Sequence, residues 1–401
     1  MAATFFLGTF NDNFFKQAAL VMAVAAKMND MQGYALVIFT APFVILAAPA
    51  GWLSDRFPKS RVAVSAKVLE LAAMLFGAAG ICFGSWWLIF TMLAIMGTQA
   101  TIFSPALNGS LPELYPAEYV TKANGVLRML ITVAILSGIA LAGVMLDVKG
   151  VGPGGIPMGR LLVAGTVVAV SVIGLITSFG IPCRPAANPA ARFPWWGPVR
   201  TIKDLIKTRE DPMMAVAIFA NVFIWTVGSL QVLLINPLGI QQFCLSKTET
   251  SLLIVSELCG IAVGGILSGW LVKPDKWYRV LAPAGFAMAG IMLMMPLVPR
   301  LPHIFQEPLL YSLIGIMGIA AGIFLIPLES CLQIRPPPAR KGAVISAVNF
   351  IVFLGILLSG LISNWLNDLW TPTQSFRFLG EATLAVSLLL IILFRRYRRY
   401  Q

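Results

Sequence analysis

Charged residues are scarce in this 401-residue chain, since aspartate, glutamate, lysine and arginine make up 11% of it while 58% is hydrophobic. A soluble domain carries about 25% charged residues, so this chain has too little charge to cover a water-facing surface. It also lacks the short alternating segments of a membrane β-barrel and shows long, nearly uncharged runs instead. The composition excludes a soluble globular protein and predicts an all-α membrane protein, because helices satisfy their backbone hydrogen bonds within the bilayer.

The chain also has only one histidine and no closely spaced pair of cysteines. The single histidine, His303, falls in a loop beside Pro302, which excludes a histidine proton relay through the membrane. The five cysteines are scattered without C-x-x-C spacing, which argues against a metal site or a disulfide framework. An acyltransferase would need an H-x-x-x-x-D motif, but Pro308 stands at the aspartate position. We therefore expect no cofactor, no metal and no enzymatic activity.

Twelve segments are long and apolar enough to cross a bilayer, for which a helix needs roughly 17–25 residues. They form two sets of six, separated by a segment rich in proline and basic residues. We therefore predict an N-terminal bundle (1–181), a cytoplasmic linker (182–212), a C-terminal bundle (213–394) and a basic tail (395–401). The predicted spans are 3–26, 32–54, 62–83, 86–107, 122–146, 158–181, 213–236, 250–272, 280–299, 308–329, 342–366 and 374–394.

The distribution of lysine and arginine orients the chain, because these residues collect on the cytoplasmic side of membrane proteins. With the N-terminus placed inside, twenty of the 29 basic residues fall in loops on that side and six on the other. The remaining three, Lys16, Lys67 and Arg128, lie within spans. This bias predicts that both termini are cytoplasmic, and it accounts for the net charge of +12 without a nucleic acid partner.

The two halves of the chain contain an internal repeat. Gly51-Trp-Leu leads into Arg61-Val, and Gly269-Trp-Leu leads into Arg279-Val, at a constant offset of 218 residues. Both copies follow the second span of their half. Parallel repeats of six helices predict two pseudo-symmetric bundles with a substrate site at their interface, as in transporters that work by alternating access.

The first copy of the repeat reads Gly-Trp-Leu-Ser-Asp-Arg-Phe-Pro-Lys-Ser-Arg over residues 51–61. It resembles the G-x-L-[AS]-D-R-x-x-[KR]-x-R signature of the major facilitator superfamily, at the same place between spans two and three. The resemblance implies the 6+6 major facilitator fold and a conformational latch, with the glycine allowing two helices to approach. An ordinary basic loop is the alternative. Lys273 replaces the aspartate in the second copy, so the latch should be asymmetric. The predicted latch residues are Gly51, Asp55, Arg56, Lys59 and Arg61.

Ionisable groups inside spans are functional candidates, since each costs about 3 kcal/mol at the centre of a membrane helix. Asp12 and Lys16 can pair on one face of the first span, and Lys67 and Glu70 on one face of the third. Alternatively, Lys67 and Arg128 extend to the cytoplasmic interface, and the Lys67–Glu70 pair only holds helices together. The candidate substrate-binding residues are Asp12, Asn13, Lys16, Lys67, Glu70, Arg128 and Glu257.

Further motifs resemble the bacterial lysophospholipid transporter family. They are Phe10-Asn-Asp-Asn in the first span, then Ser104-Pro-Ala, Glu113-Leu and Lys122-Ala-Asn-Gly, and the segment 321–334. The resemblance implies a flippase that moves lysophospholipids, such as lysophosphatidylethanolamine, from the outer to the inner leaflet of the bacterial inner membrane. A membrane acyltransferase, separate or fused behind the transporter, would then reacylate them. We expect a multi-pass monomer that is either a stand-alone member or the transporter part of such a fusion.

With this substrate class, each candidate residue has an expected role. We expect the first-span pair Asp12 and Asn13 to contact the headgroup, Lys67 or Arg128 to bind the phosphate, and Glu70 or Glu257 to bind the amine. The chain departs from the family pattern at Leu107, Arg128 and Gln231, so the headgroup preference and any coupling ion stay open. The alternative function is a proton-coupled exporter of drugs or small metabolites on the same fold.

The predicted linker contains a short amphipathic pattern. Apolar residues at helical spacing alternate with basic ones after a pair of tryptophans, which predicts a short helix lying on the cytoplasmic face of the membrane. A flexible linker is the alternative. The residues of this pattern are Trp195, Trp196, Val199, Arg200, Ile202, Lys203, Leu205, Ile206 and Lys207.

Overall fold

The computed structural model describes residues 2–114, 117–186, 188–272, 274–336 and 341–397. Within these ranges, the side chains of 107–109, 111–114, 117–125, 198, 200, 204, 209, 274, 275, 341–343 and 397 are outside the description. Several sequence predictions therefore lie outside the described residues: the side chains of Glu113 and of the Lys122-Ala-Asn-Gly motif, Lys273 in the second repeat, and the end of the basic tail.

The described chain is helical, and it contains no β-strand in these ranges. Its short 3-10 and π turns cover Pro153–Gly155, Thr208–Glu210, Leu238–Gln242, Pro274–Val280 and Met295–Arg300. The α-helices are α1 (Ala2–Ala25), α2 (Asp30–Ile45), α3 (Ala47–Arg56), α4 (Lys59–Phe83), α5 (Trp86–Leu114), α6 (Ala117–Leu146), α7 (Met158–Ser178), α8 (Gly197–Lys207), α9 (Pro212–Pro237), α10 (Lys247–Leu271), α11 (Leu281–Met294), α12 (His303–Ile334), α13 (Lys341–Leu369) and α14 (Pro372–Tyr397).

Ten helices in the described ranges are long and apolar enough to cross a membrane, and α2 and α3 form an eleventh span if they are counted together. The helix α1 has 24 residues, but its polar residues, among them Asp12 and Lys16, lower its mean hydropathy. With α1 included, these helices match the twelve predicted segments, which confirms the all-α membrane fold. One detail differs, because His303 begins α12 and does not lie in a loop.

The second predicted span, 32–54, is bent by 53° between α2 and α3. Pro49 has no N–H group with which to donate a hydrogen bond to the carbonyl of Ile45, and sharp bends in helices occur at such positions. The hydrogen bonds on either side are kept, since Leu46 donates to Pro42 and Ala50 donates to Leu46, each over 2.8 Å. The span bends here without a break in its neighbouring hydrogen bonds.

The helices form two compact units, each described by itself. In the first unit, α4 packs against α5 and α7, and α1 packs against α6 and α7. In the second, α11 packs against α12 and α14, and α9 packs against α13. The units are Met1–Ala26, Tyr34–Pro198 and Ser246–Ser251 for the first, and Lys27–Gly33, Val199–Leu245 and Leu252–Gln401 for the second. The longest segment of the first unit ends at Pro198, and this boundary falls inside the predicted linker.

Two glycine pairs bring α10 and α12 together in the second unit. A Cβ atom added at Gly318 would clash with the backbone carbonyl of Glu257, and one at Gly322 would clash with that of Ile261. On the facing helix, a Cβ atom at Gly260 or Gly264 would clash with the backbone of α12. Both helices therefore carry a G-x-x-x-G pattern at their contact, which is the geometry that lets membrane helices approach closely.

The linker contains the helix that its pattern predicts. It is α8, and the apolar side chains of Val199, Ile202 and Ile206 on it are exposed. Trp195 and Trp196, just before it, are 81% and 69% exposed. A helix with an exposed apolar face beside Lys203 and Lys207 has the composition of one that lies in a membrane interface, and that location stays a prediction.

Asp147, the residue after α6, caps the N-terminus of α10 within the first unit. Its carboxylate accepts hydrogen bonds from the backbone N–H and the hydroxyl of Thr248, both over 2.7 Å, and lies 3.5 Å from the Lys247 ammonium. Burial raises the pKa of Asp147, but the hydrogen bonds from Thr248 and the charge of Lys247 outweigh it. The resulting pKa lies below its ordinary value of 3.8.

The lowered pKa predicts a pH-dependent contribution to stability. A carboxylate with a depressed pKa stabilises the folded state above its unfolded pKa, and this contribution is lost as the pH falls through the folded-state pKa. We expect Asp147→Asn to cost about 1.5 kcal/mol at pH 7, the lower end of the range for a hydrogen bond to a charged group, because the Asp147 side chain is 27% exposed. The difference in Tm between wild type and variant, measured by thermal unfolding in detergent, should stay constant from about pH 7 to 5 and shrink below about pH 4. A constant difference down to about pH 3 would contradict the argument.

Candidate functional site

A buried ion pair on α4 is the centre of the polar cluster in the first unit. The Lys67 ammonium lies 2.5 Å from Glu70 Oε2, and both residues are completely buried. The side-chain amide of Gln99 on α5 donates a second hydrogen bond to the same oxygen over 3.2 Å. The other carboxylate oxygen, Oε1, has no hydrogen-bond partner among the described residues. The sequence spacing predicted this pair, and the structure forms it.

Glycines and an aromatic ring enclose the Lys67 ammonium. A Cβ atom at Gly8 on α1 would clash with the Lys67 Nζ atom, and one at Gly174 on α7 would lie 3.7 Å from it. The ring of Phe103 on α5 lies with its centroid 5.0 Å from the same atom, a distance at which cation–π attraction operates. The proposal that Lys67 extends to the membrane interface is therefore wrong, because its side chain ends inside the helix packing.

The polar residues of α1 are less enclosed than the pair on α4. Asp12, Asn13 and Lys16 are all partly exposed, and Asn13 donates a hydrogen bond to the carbonyl of Thr9 over 2.8 Å. Asp12 Oδ1 is buried without a hydrogen-bond partner among the described residues. An unsatisfied carboxylate oxygen in a membrane helix is costly, so this atom is suited to accept a hydrogen bond from a ligand. We refer to Asp12, Asn13 and Lys16 as the α1 polar stripe.

The predicted ion pair between Asp12 and Lys16 is not formed. The Lys16 ammonium lies 5.3 Å from the centroid of the Phe39 ring on α2, in a cation–π contact. Spacing of four residues permits an ion pair, but an aromatic ring from another helix provides the contact that the structure shows. Gly8, one helical turn before Asp12 on α1, packs against the buried pair, since a Cβ atom there would clash with Lys67 Nζ and lie 3.6 Å from Glu70 Oε2. The α1 polar stripe therefore begins one helical turn from the pair on α4.

Two other predicted site residues lie apart from this cluster. Arg128 is exposed on α6, and no ion pair or hydrogen bond joins its side chain to the pair on α4 among the described residues. Glu257 on α10 belongs to the second unit and is 2% exposed, and its Oε2 atom has no hydrogen-bond partner in the described part of the chain. The structure therefore brings together the candidates on α1 and α4 and not the full predicted set.

Sequence reasoning did not assign a role to two buried amides, of which one contacts the pair on α4 and the other joins α1 to α7. Gln99 is 1% exposed and binds Glu70, and Asn11 is completely buried and donates to the carbonyl of Val167 on α7 over 3.1 Å. An uncharged amide inside an apolar span is a weaker signal than a charge, but its burial is costly for the same reason. Such amides in membrane helices mark polar contacts between helices.

The predicted latch residues lie at the end of α3 and the start of α4. Arg56 donates a hydrogen bond over 2.7 Å to the carbonyl of Ala191 in the linker, and the indole of Trp52 donates to the same oxygen over 3.0 Å. The backbone carbonyl of Asp55 accepts from Asn188 over 2.8 Å. In the structure these residues bind the first part of the linker to the first unit.

The structure gives less support to a latch role for the other predicted residues. A Cβ atom at Gly51 would have no described atom within 4 Å, so this glycine makes no close helix approach in the part of the chain that the structure describes. The side chains of Asp55 and Arg61 are exposed and that of Lys59 is partly exposed. A role for these residues as a latch stays a prediction.

The fold of the chain is similar to those of solved membrane transporters. The nucleoside transporter NupG has a TM-score of 0.72 at 14% identity, covering 98% of this chain and 99% of that chain. A bacterial homologue of the iron transporter ferroportin has a TM-score of 0.70 at 18% identity, covering 99% and 98%. The xylose transporter XylE from E. coli has a TM-score of 0.69 at 14% identity, covering 96% and 94%. At these identities the likeness shows the fold alone.

Proteins that are similar in sequence indicate the family more specifically than the fold does. The lysophospholipid transporter LplT of Serratia proteamaculans (strain 568) is 29% identical over 336 residues, which cover 82% of this chain and 78% of that protein. LplT of Enterobacter sp. (strain 638) is 29% identical over 340 residues, with the same coverage. These relatives are named as transporters, which agrees with the prediction that the chain is not an enzyme. A sequence profile of the Major Facilitator Superfamily matches residues 1–360. The chain is therefore a multi-pass membrane protein that belongs to the Major Facilitator Superfamily.

Proposed function

We propose that this protein transports lysophospholipids by alternating access, moving them from the outer to the inner leaflet of a bacterial inner membrane. The observation that carries the proposal is the similarity to LplT proteins over 82% of the chain, together with the family-like motif of α1. Both termini would then face the cytoplasm, in agreement with the bias of basic residues. The products would supply a membrane acyltransferase, and the transporter would act as a monomer.

The α1 polar stripe provides the chemistry for such a headgroup. Asp12 and Lys16 carry opposite charges about 6 Å apart along the helix axis by helical rise, and both are partly exposed. A phosphoethanolamine headgroup carries an anionic phosphate and a cationic amine, so Lys16 would bind the phosphate and Asp12 the amine. This assignment replaces Lys67 as the phosphate ligand, because Lys67 is completely buried against Glu70.

The pair on α4 then has a supporting role. Lys67 and Glu70 contact α1 at Gly8, one helical turn before Asp12, and their positions are set by Gln99 and by the glycines of α1 and α7. A fixed charge behind the stripe orients Asp12 without itself reaching the substrate. The acyl chain of the lysolipid need not enter this polar region, because its burial in lipid contributes about 0.8 kcal/mol per methylene. The protein has to shield only the headgroup.

Two substitutions on α1 test the proposal by headgroup. We expect Asp12→Asn to lower the initial rate of lysophosphatidylethanolamine flipping in proteoliposomes about tenfold, since a hydrogen bond to a charged group contributes about 1.5–3 kcal/mol. The same variant should change the rate for lysophosphatidylglycerol, which has no amine, by less than about threefold, because the Asp12–amine contact that it removes does not exist there. Lys16→Gln should lower the rates for both lipids, because both carry the phosphate.

Arg377 and Glu381 provide matched controls. They form an exposed ion pair on α14 with a distance of 3.0 Å. Glu381→Gln and Arg377→Gln therefore each replace a charged side chain by a neutral amide away from the stripe, and they should leave both rates unchanged. Equal effects of Asp12→Asn on both lipids would overturn the headgroup assignment. Transport of soluble amphiphiles under a proton gradient, with no flipping of lysolipid by the wild type, would instead establish a proton-coupled exporter.

A further inference from the structure

An apolar groove runs along α4 in the first unit. It has a volume of about 540 Å³, and its lining includes Leu53, Phe57, Ile102 of α5, and the small residues Ser65 and Ala66. Ser65 and Val68, which both line it, are exposed, so the groove opens to the outside of the helices. Small residues among larger ones in the lining leave room for a narrow apolar ligand. We call this feature the α4 groove.

The length of the α4 groove corresponds to one leaflet. Its lining residues on α4 extend from Arg61 to Ala72, which is about 16 Å along the axis by helical rise. The hydrocarbon core of a bilayer is about 30 Å thick, so one leaflet is about 15 Å deep. Arg61, three residues into α4, lies at the end of the helix where the loop joins it, and the apolar lining runs from there into the membrane span.

Charge distinguishes this groove from a second cavity of similar size. The second unit has a cavity of about 550 Å³ lined in part by Trp277, Pro327 and Arg335. Arg335 is engaged there, since its Nε and NH2 atoms donate to both oxygens of Asp211, over 2.5 and 3.0 Å. Arg61 is exposed, and no ion pair joins it to an acidic side chain among the described residues. The α4 groove therefore ends in a cation that is available to an anion.

We propose that the α4 groove is a binding site for one acyl chain of an anionic glycerophospholipid, whose phosphate binds Arg61. A single groove of leaflet depth accommodates a single chain, and the remainder of the lipid stays in the bilayer. Arginine binds phosphate through two parallel hydrogen bonds, which holds the headgroup at the end of the groove. The site lies outside the α1 polar stripe, so it goes beyond the proposed function and does not depend on it.

The test measures lipid retained by the full chain purified in mild detergent from membranes containing phosphatidylglycerol and phosphatidylethanolamine. We expect about one phosphatidylglycerol per protein by native mass spectrometry. Ser65→Trp, which fills the groove, and Arg61→Gln, which removes the cation, should each lower its occupancy at least fivefold. Leu75→Trp is the matched control, since Leu75 is also exposed on α4, at 54%, but does not line the groove, and its occupancy should equal that of the wild type.

Every other result decides against the proposal. Equal retention of phosphatidylglycerol and phosphatidylethanolamine would show that the retained lipid is bound nonspecifically. Retention unaffected by both Ser65→Trp and Arg61→Gln would show that the bound lipid lies elsewhere. Loss in Leu75→Trp as well would show a general effect of tryptophan on the surface of α4. Circular dichroism and size-exclusion profiles of each variant separate a lost site from a lost fold. A protein that fails to flip lysolipid could still retain phosphatidylglycerol, so failure of one proposal leaves the other standing.

Discussion

The Lys67→Met and Glu70→Gln variants are each expected to lose about 3–5 kcal/mol of stability, the cost of leaving a buried charge without its partner. Both residues are completely buried, and the ammonium is enclosed by Gly8, Gly174 and Phe103. Neither residue has solvent-accessible surface, so water does not solvate the charge that remains. Thermal unfolding followed by intrinsic fluorescence would measure the loss, which should also reduce the yield of monodisperse protein.

The double variant separates folding from function. Replacing both charges removes the unpaired ion, and an apolar or neutral replacement of a buried pair is often close to neutral for stability. We therefore expect Lys67→Met with Glu70→Gln to recover most of the lost Tm and yet to transport at less than about a tenth of the wild-type rate, because the pair packs against α1 one helical turn from Asp12. The exposed pair Arg377 and Glu381 is the control, since a surface i,i+4 pair contributes only about 0.3–0.5 kcal/mol.

The outcome distinguishes two roles for the pair. Full transport activity in the stable double variant would show that the pair only holds helices together. A Lys67→Met protein as stable as the wild type would show that Glu70 is not left as an unpaired buried charge, which would contradict the first prediction. Low transport in a well-folded double variant is the result that supports a positioning role toward Asp12.

Gly318→Leu is expected to prevent proper folding of the second unit. A Cβ atom at this position already overlaps the backbone carbonyl of Glu257, so a leucine side chain forces α10 and α12 apart along their whole contact. Overpacking of a well-packed core costs about 1–3 kcal/mol where side chains can move, and backbone atoms cannot yield in that way. We expect a loss above 3 kcal/mol, visible as aggregation of a fluorescent fusion in size-exclusion chromatography.

Gly290→Leu is the control for this prediction. It makes the same substitution on α11, at an exposed position where a Cβ atom has no described atom within 4 Å. Its elution profile and Tm should match those of the wild type. Wild-type behaviour of Gly318→Leu would mean that α10 and α12 do not cross as closely as the backbone geometry indicates.

Local patterns in the sequence were sufficient for the parts of the fold that depend on neighbouring residues. The Lys67–Glu70 pair follows from spacing on one helix, and α8 follows from its amphipathic pattern. Spans follow from length and hydropathy, since the bilayer selects for both. Even the bend of the second span has a local cause, Pro49, although proline within an apolar run does not by itself predict how large the bend is.

Contacts between distant segments could not be predicted in the same way. Lys16 lies against Phe39 and not Asp12, and Trp52 and Arg56 bind the carbonyl of Ala191. Each of these contacts depends on how helices and loops pack, and many partners would have satisfied the same side chain. The contact of Gln99 could not be predicted for a related reason. An uncharged amide in an apolar span is a weak indication of a functional residue, and its contact with Glu70 depends on how α4 and α5 pack.

The bend between α2 and α3 also shortens the span that the two helices form. The two helices have 16 and 10 residues, so a straight rod of that length would rise about 39 Å. With α2 along the bilayer normal and α3 inclined by 53°, the rise falls to about 33 Å, close to a hydrocarbon core of about 30 Å. A bend of this size would relieve the hydrophobic mismatch that a straight span of this length has with the bilayer.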